Sequence, residues 1–564
     1  MKKNARKVLA VFMAILMIVP LAMPAMAAAT QPVWDTVRNT TVPVISIFGD
    51  GESIHDKDGN KLLEYRDLLN NLGGSDDEGD DNELLQSVIN CVMPFLVQGL
   101  GTGDYQPYYD ALEKEIGELF EGLLLDNNGE ASDGSQVNPE KQQIMAVKRH
   151  QDVSNGGKNN FDLNSYIFWY DWRLDPIYIA DELHAYINDI KKKTGATEVS
   201  IACRCLGTSV VTAYVAKYGM GGIRGIGFDG GVVNGSELIS ETISGKFSFD
   251  ADAVNRFLID CDALYMFSVD DFVNETIDML SKAGVFDAIV GVTKEKIYYT
   301  VVKDITSALA LSTFFTFPSY WAAVKTEDYE TAKEYVFGPE GSEKRQKYAG
   351  LIEKIDNYDK VVRKNIPDIM KKINDNGNLC VIAKYGVQLV PFVKSMNIVG
   401  DQFSTVTSAS YGATTSTIYD TLSDEYIAQR VSEGKGKYIS PDKQIDASTC
   451  MYPDQTWFVK GANHSDWTDA ENRILYNVIV SDKQLTVDDS PYSQYFNAIR
   501  KENSKGVVAA AAYDFAVMDE TNCDCYYWEA DYKADNATGN ERIFHFVLSL
   551  INWLLSVIEM LFLK

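Results

Sequence analysis

Cys203-Arg204-Cys205-Leu206-Gly207 joins a β-rich run at 199–203 to a helical pattern in which Val210, Val211, Tyr214, Val215 and Tyr218 mark the buried side. A G-x-S-x-G segment at such a junction forces its central residue onto a sharp strand-to-helix turn, and small outer residues let strand and helix approach. Here Cys203 is small enough for the first position, Gly207 fills the last, and Cys205 takes the nucleophile's place. A thiol is intrinsically a better nucleophile than a hydroxyl, and the dipole of the following helix stabilises its thiolate. The Leu206 backbone N–H would form half of an oxyanion hole, with the Gly49-Asp50-Gly51 turn, centred on Asp50, supplying the other half. An acid and a histidine follow in the order this chemistry requires. Asp442 lies in the loop 440–448 (SPDKQIDAS), where Asp446 competes for the same role, and His464 lies in the loop after the strand-like run 456–459. His464 would take the thiol proton and return it to the leaving group, while Asp442 would hold the imidazole tautomer. Arg204 either favours the Cys205 thiolate or is a buried strand-end charge paired with an acid.

These residues need a scaffold that delivers strand ends to one place. Residues 41–48 (TVPVISIF), 166–170, 199–203, 223–228, 379–383 and 456–459 read as short buried strands. Between two of them, 176–193 carries Ile179, Leu183, Tyr186, Ile187 and Ile190 on one helical face. Strands alternating with helices imply an α/β fold with a parallel sheet covered on both faces, whose ligands sit at the carboxyl ends of the strands. Two stretches interrupt the alternation. An acidic, Gly-rich linker at 73–83 (GGSDDEGDDNE) lies in a polar insertion and reads as solvated loop, since its carboxylates lack the spacing of a calcium site. The stretch 234–376 reads as mostly helical and carries Phe314, Phe315, Phe317 and Trp321, as a cap over the site would.

The 564 residues carry 80 acidic and 52 basic side chains, a net charge of −28, which repels nucleic acid and anionic membranes. Eight cysteines are too few for a disulfide scaffold in a chain this long, and the Cys-x-Cys pairs lack zinc-site spacing, so no metal is expected. Lys2, Lys3, Arg6 and Lys7 precede an apolar run from Val8 to about Ala22, and Ala25-Met26-Ala27 then offers small residues for cleavage, the pattern of a secretory signal peptide, which predicts a secreted or cell-surface protein. At the other end, 543–564 is apolar apart from His545, Ser549, Asn552, Ser556 and Glu559 on one helical stripe. Such a helix would suit a membrane surface, a partner, or the protein's own cap.

Phe168-Trp169-Tyr170-Asp171-Trp172-Arg173-Leu174-Asp175-Pro176 resembles the Tyr-Asp-Trp-Arg signature of lecithin:cholesterol acyltransferase-like α/β-hydrolases, and it stands one helix and one strand before the elbow, as in that family. Ile47-Phe48-Gly49-Asp50-Gly51 resembles the family's Pro-Gly-x-Gly oxyanion turn with Phe48 in place of proline, and Phe317-Pro318-Ser319-Tyr320-Trp321 resembles its cap segment. The resemblance runs over about 42–480. It implies an α/β-hydrolase fold, a mostly parallel central sheet flanked by helices with a large helical cap insertion. It also implies ester hydrolysis or acyl transfer on lipid-like substrates without a cofactor, with nucleophile, acid and base at Cys205, Asp442 and His464. The family has serine preceded by histidine at the elbow, whereas this chain has Cys205 preceded by Arg204. Two functions follow: a hydrolase or O-acyltransferase of lipid-like acyl esters or thioesters working through acyl-Cys205, or a catalytically degenerate cell-surface binding protein. Asp171 and Arg173 read as an internal ion pair. The expected organisation is a signal peptide at 1–27 and core at 28–232 with the acidic insertion at about 60–160. A cap at 233–378, core at 379–485, an extension at 486–540 and an amphipathic helix at 541–564 complete it.

Overall fold

The structure, a computed structural model, describes residues 42–49, 53–62, 106–137, 165–248, 310–464, 469–500 and 513–523, apart from a few single positions and with isolated residues between these stretches. The expected signal peptide, the acidic linker and the C-terminal helix lie outside the described residues. Eight strands form one sheet: β1 (Val44–Ile47), β2 (Ser165–Ile167), β3 (Val199–Cys205), β4 (Ile223–Gly231), β5 (Asn378–Tyr385), β6 (Thr456–Lys460), β7 (Tyr495–Arg500) and β8 (Tyr513–Val517). Their order is β8-β7-β6-β5-β4-β3-β1-β2. Every neighbouring pair is parallel except β7 with β8. From β1 the chain goes to β2 on one side, then returns to pair β3 on the other, with Ile47 opposite Cys203. That reversal makes the carboxyl ends of β1 and β3 the topological switch point, where sheets of this kind place their ligands.

Both faces of the sheet are buried, which is why its strands read as continuous apolar runs. Ile45 and Ile47 of β1, Ile201 and Cys203 of β3 and Leu379 and Val381 of β5 pack into one cluster with helices α1 (Pro176–Thr194), α2 (Gly207–Tyr218) and α3 (Ile366–Asn376). Val44, Ala202, Cys380 and Ile382, the alternate residues, face α4 (Asp469–Val480) through Ile474, Leu475, Val478 and Ile479. Helix α1 starts where Asp175 accepts a hydrogen bond from Ile177 N–H and Pro176 presets the first turn, and it ends at Gly195 with φ 71°. Capping contributes about 1 kcal/mol, whereas each of Ile179, Leu183, Ile187 and Ile190, all buried, contributes about 1.5–3 kcal/mol, so packing is what holds the helix.

The mostly parallel sheet flanked by helices is the fold expected from the alternation. Its extent differs at two places. Strands β7 and β8 extend the core past residue 485 into the segment expected as an extension. Within 234–376 the described part is largely helical, but α3 lies on the sheet beside α2, with Ile369, Met370 and Ile373 in the shared core. The aromatic segment before it is also buried: Phe317 meets Trp172 edge-on at 5.7 Å, and Phe314 meets Phe120 at 5.6 Å. Asp171 and Arg173 form the internal pair that their spacing suggests. Arg173 is fully buried, bonds both Asp171 oxygens at 2.9 and 2.7 Å, and donates to Leu123 O at 2.8 Å and Ser135 Oγ at 3.1 Å. It thereby ties the loop between 123 and 135 to the core. Among the described residues no helix is long and apolar enough to cross a membrane.

Candidate active site

Cys205 is the last residue of β3, two residues beyond the run legible in the sequence, and it takes φ 48°. A side-chain-bearing residue in the left-handed region is strained, and a tight strand-to-helix turn is where that strain presents a nucleophile. The ladder shows the kink directly, because pairing with β4 shifts between Arg204 and Cys205, leaving Cys205 opposite Gly231. Two glycines make room for it. A Cβ on Gly207 would lie 2.8 Å from Ile47 O and 3.0 Å from Phe48 O, and one on Gly49 would lie 3.0 Å from Cys205 Sγ and from Leu206 N. Thr208 Oγ1 donates to Cys205 O at 2.6 Å and accepts from Val232 N–H at 3.2 Å, pinning the turn to the end of β4. Leu206 N–H therefore sits beside the end of β1, as an oxyanion donor should; Asp50 lies outside the described residues.

His464 stands in the loop after β6. Its backbone N–H donates to Asp401 O at 2.9 Å, and its Nδ1 lies 2.9 Å from Asp401 Oδ2. The other Asp401 oxygen accepts from Phe403 N–H at 3.1 Å and Ser404 N–H at 2.8 Å, and Gln402 between them adopts φ 78°. Phe403 covers the imidazole, ring centroids 4.6 Å apart. Asp401 is fully buried and His464 is 8% exposed. Burial pulls the His464 pKa down, but the Asp401 carboxylate and then Cys205 oppose it and carry it up to about 10. Cys205 thus interacts electrostatically with the ring, whose Nε2 is buried without a conventional hydrogen-bond partner.

The acid on the histidine is thus Asp401, not Asp442. Asp442 accepts from Ser440 Oγ at 2.5 Å and Tyr385 Oη at 3.0 Å and is 3.1 Å from Lys460 Nζ. Asp446 is equally committed, to Tyr426 Oη at 2.8 Å, Ser448 N–H at 2.8 Å and Arg430 Nε at 3.3 Å. Both carboxylates have satisfied partners elsewhere, so neither serves the imidazole. The signal that marks Asp401 is its place in the loop leaving the carboxyl end of β5, with Gly400 before it to allow a tight turn.

Arg204 takes the second of its two expected roles. Its Nε lies 2.5 Å from Asp229 Oδ2, and its Nη2 is 3.0 Å from Asn472 Oδ1. Lys384 lies 3.4 Å from both Asp229 and Glu471 and donates to His464 O at 3.2 Å. These two cations and two anions are all buried, and they join the ends of β3, β4 and β5 to the loop that carries His464. Cys203, two residues before the nucleophile position, is a core thiol: it is fully buried, contacts Gly227 O at 3.3 Å, and burial pushes its pKa well up. The five described cysteines are all free.

A strained strand-to-helix turn beside a carboxylate-held histidine, at the switch point of a mostly parallel sheet, is the geometry of the α/β-hydrolase class. No family model matches the chain. Nor does any curated protein. Among solved structures, the chain aligns with one titled "The crystal structure of Tle4-Tli4 complex" at 11% identity and a TM-score of 0.26, covering 61% of this chain and 75% of that one.

A histidine held up to about 10, against about 6.5 when free, stabilises the folded state as imidazolium. That contribution is fully present below pH of about 6.5 and is lost as pH rises toward about 10. Melting temperature is therefore expected to decline across this window more steeply in the wild type than in His464→Gln. Parallel slopes for the two proteins would contradict the charged pair.

Proposed function

We propose that this chain is an exported α/β-hydrolase, related to the lecithin:cholesterol acyltransferase-like enzymes, that transfers acyl groups from lipid-like esters or thioesters through an acyl-Cys205 intermediate. The observation that carries the reading is His464, held by Asp401 on one nitrogen and interacting with Cys205. In this chemistry the Cys205 proton already resides on His464 as imidazolium, and the thiolate forms a bond to the acyl carbon. The negative charge that develops on the carbonyl oxygen is met by Leu206 N–H. Collapse breaks the bond to the leaving oxygen or sulfur, which receives the proton from His464. Water or an acceptor alcohol then gives a proton to His464, attacks the thioester and regenerates the thiol. Asp401 keeps Nδ1 as the donor to its own carboxylate, so that Nε2 handles the proton.

Apolar groups around the site support a lipid-like acyl chain: Phe403 on the imidazole, and Phe48 paired with Trp169 at 6.3 Å beside the oxyanion turn. The basic and apolar N-terminal sequence supports export, and the striped tail supports contact with a membrane surface. The test is turnover of chromogenic acyl esters and acyl thioesters of graded chain length by wild type, Cys205→Ala and His464→Ala. Turnover that rises with chain length and is lost in both variants is the expected result. No turnover by the wild type, with activity appearing in Cys205→Ser, would instead make the chain a binding protein on a hydrolase fold.

A further inference from the structure

Tyr170 belongs to the Phe168–Pro176 motif and directly precedes the Asp171–Arg173 pair, and its hydroxyl points to the end of β1. It is buried, and its ring stacks on Phe168 at 5.5 Å with 12° between planes; Phe168 in turn packs on Tyr186 at 5.2 Å. That stack aims the hydroxyl at the end of β1, where Oη bonds to Phe48 O and lies 3.1 Å from Gly49 O. Phe48 and Gly49 follow the last ladder residue, Ile47, so the sheet does not fix their peptide planes. Glycine adds freedom there, and Gly49 is packed directly against Cys205 Sγ and Leu206 N.

We propose that Tyr170 is a positioning residue for the oxyanion site, holding the Phe48 and Gly49 carbonyls turned toward its own hydroxyl and away from the reacting acyl oxygen. In a planar trans peptide the C=O and the following N–H point to opposite sides, so a flip exchanges a donor for an acceptor. A carbonyl swung toward the nucleophile would repel the negative oxygen that Leu206 N–H has to stabilise. The Tyr170 hydroxyl, donating to this pair of carbonyls from a rigid aromatic stack, opposes that flip without touching the reacting atoms. The proposal rests on the acyl-enzyme reading given above.

Tyr170→Phe keeps the ring stack and removes the oxygen alone. Three quantities separate positioning from plain stability: kcat and KM with a p-nitrophenyl acyl ester, the rate at which iodoacetamide alkylates Cys205, and the affinity of an aliphatic aldehyde that adds to Cys205 as a hemithioacetal. Alkylation at a saturated carbon develops no oxyanion, whereas ester turnover and hemithioacetal formation do. The expected result is a fall in kcat of roughly 10- to 100-fold, a KM within about threefold, unchanged alkylation, and aldehyde affinity weakened about tenfold or more. Unchanged kcat and aldehyde affinity, or a parallel loss of alkylation, would overturn the assignment while leaving acyl-Cys205 intact. A wild type that alkylates but never turns over ester would overturn the acyl-enzyme reading and this assignment with it.

Discussion

Replacing Asp401 by asparagine is expected to lower kcat roughly 10⁴-fold, while Asp442→Asn leaves kcat within about threefold of the wild type. Asp401 is the carboxylate at 2.9 Å from His464 Nδ1, and its other oxygen is fixed by two backbone N–H groups, so its position is set before substrate arrives. In Asp401→Asn the new side-chain amide would offer either a neutral acceptor or a donor to Nδ1, and in the second case the imidazole is driven into the wrong tautomer. Removing the carboxylate also withdraws the main support for the imidazolium, so the alkaline limb of activity should move down from about 10. Asp442→Asn acts elsewhere. It leaves the buried Lys460 ammonium without its carboxylate at 3.1 Å, for a loss of about 3 kcal/mol in stability and little in rate. Steady-state kinetics and denaturant melts of the two variants check this; equal loss of kcat in both would contradict the assignment of the acid.

Asp229→Asn is expected to destabilise the fold by about 3–5 kcal/mol. Asp229 is 1% exposed and sits between Arg204 at 2.5 Å and Lys384 at 3.4 Å. Burial raises its pKa, but Lys384 and Arg204 prevail and the net direction is downward. With the carboxylate gone, Arg204 loses its acidic partner at 2.5 Å while Lys384 keeps Glu471 at 3.4 Å, and removing one side of a buried pair is costlier than removing both. A depressed carboxylate stabilises the fold above its unfolded pKa and ceases to do so as pH falls through the folded value. Replacing the group should therefore flatten the acid side of the stability profile. Urea denaturation of Asp229→Asn at neutral pH, compared with wild type, measures the effect; a loss under about 1 kcal/mol would mean that water or relaxation replaces the carboxylate.

The fold was legible because burial on both faces writes itself into the chain as short β-rich apolar runs, and β1, β3, β4, β5 and β6 each announce themselves this way. Strands β7 (YFNAIR) and β8 (YDFAV) did not, since polar residues interrupt them and β8 is an edge strand with Val517 44% exposed. The elbow and His464 were legible from local context, one at a strand-helix junction and the other in a strand-end loop. The acid was not. Asp401 lies 63 residues from His464, and its place after β5 behind Gly400 is a weaker cue than the loop of Asp442, which is nearer in sequence and precedes β6. Only the three-dimensional partners separate them: Lys460 and Tyr385 occupy Asp442, whereas the His464 imidazole meets Asp401 Oδ2. Arg204 posed a similar choice, resolved by Asp229 on the neighbouring strand.

The central claim is a covalent acyl group on Cys205. Rapid mixing of the protein with a medium-chain acyl thioester, acid quench and mass spectrometry of the digested protein tests it most directly. The expected result is a peptide containing Cys205 heavier by one acyl group, formed within the turnover time, absent in Cys205→Ala and formed far more slowly in His464→Ala. Turnover with no adduct on Cys205, or an adduct on another residue that persists in Cys205→Ala, would contradict it.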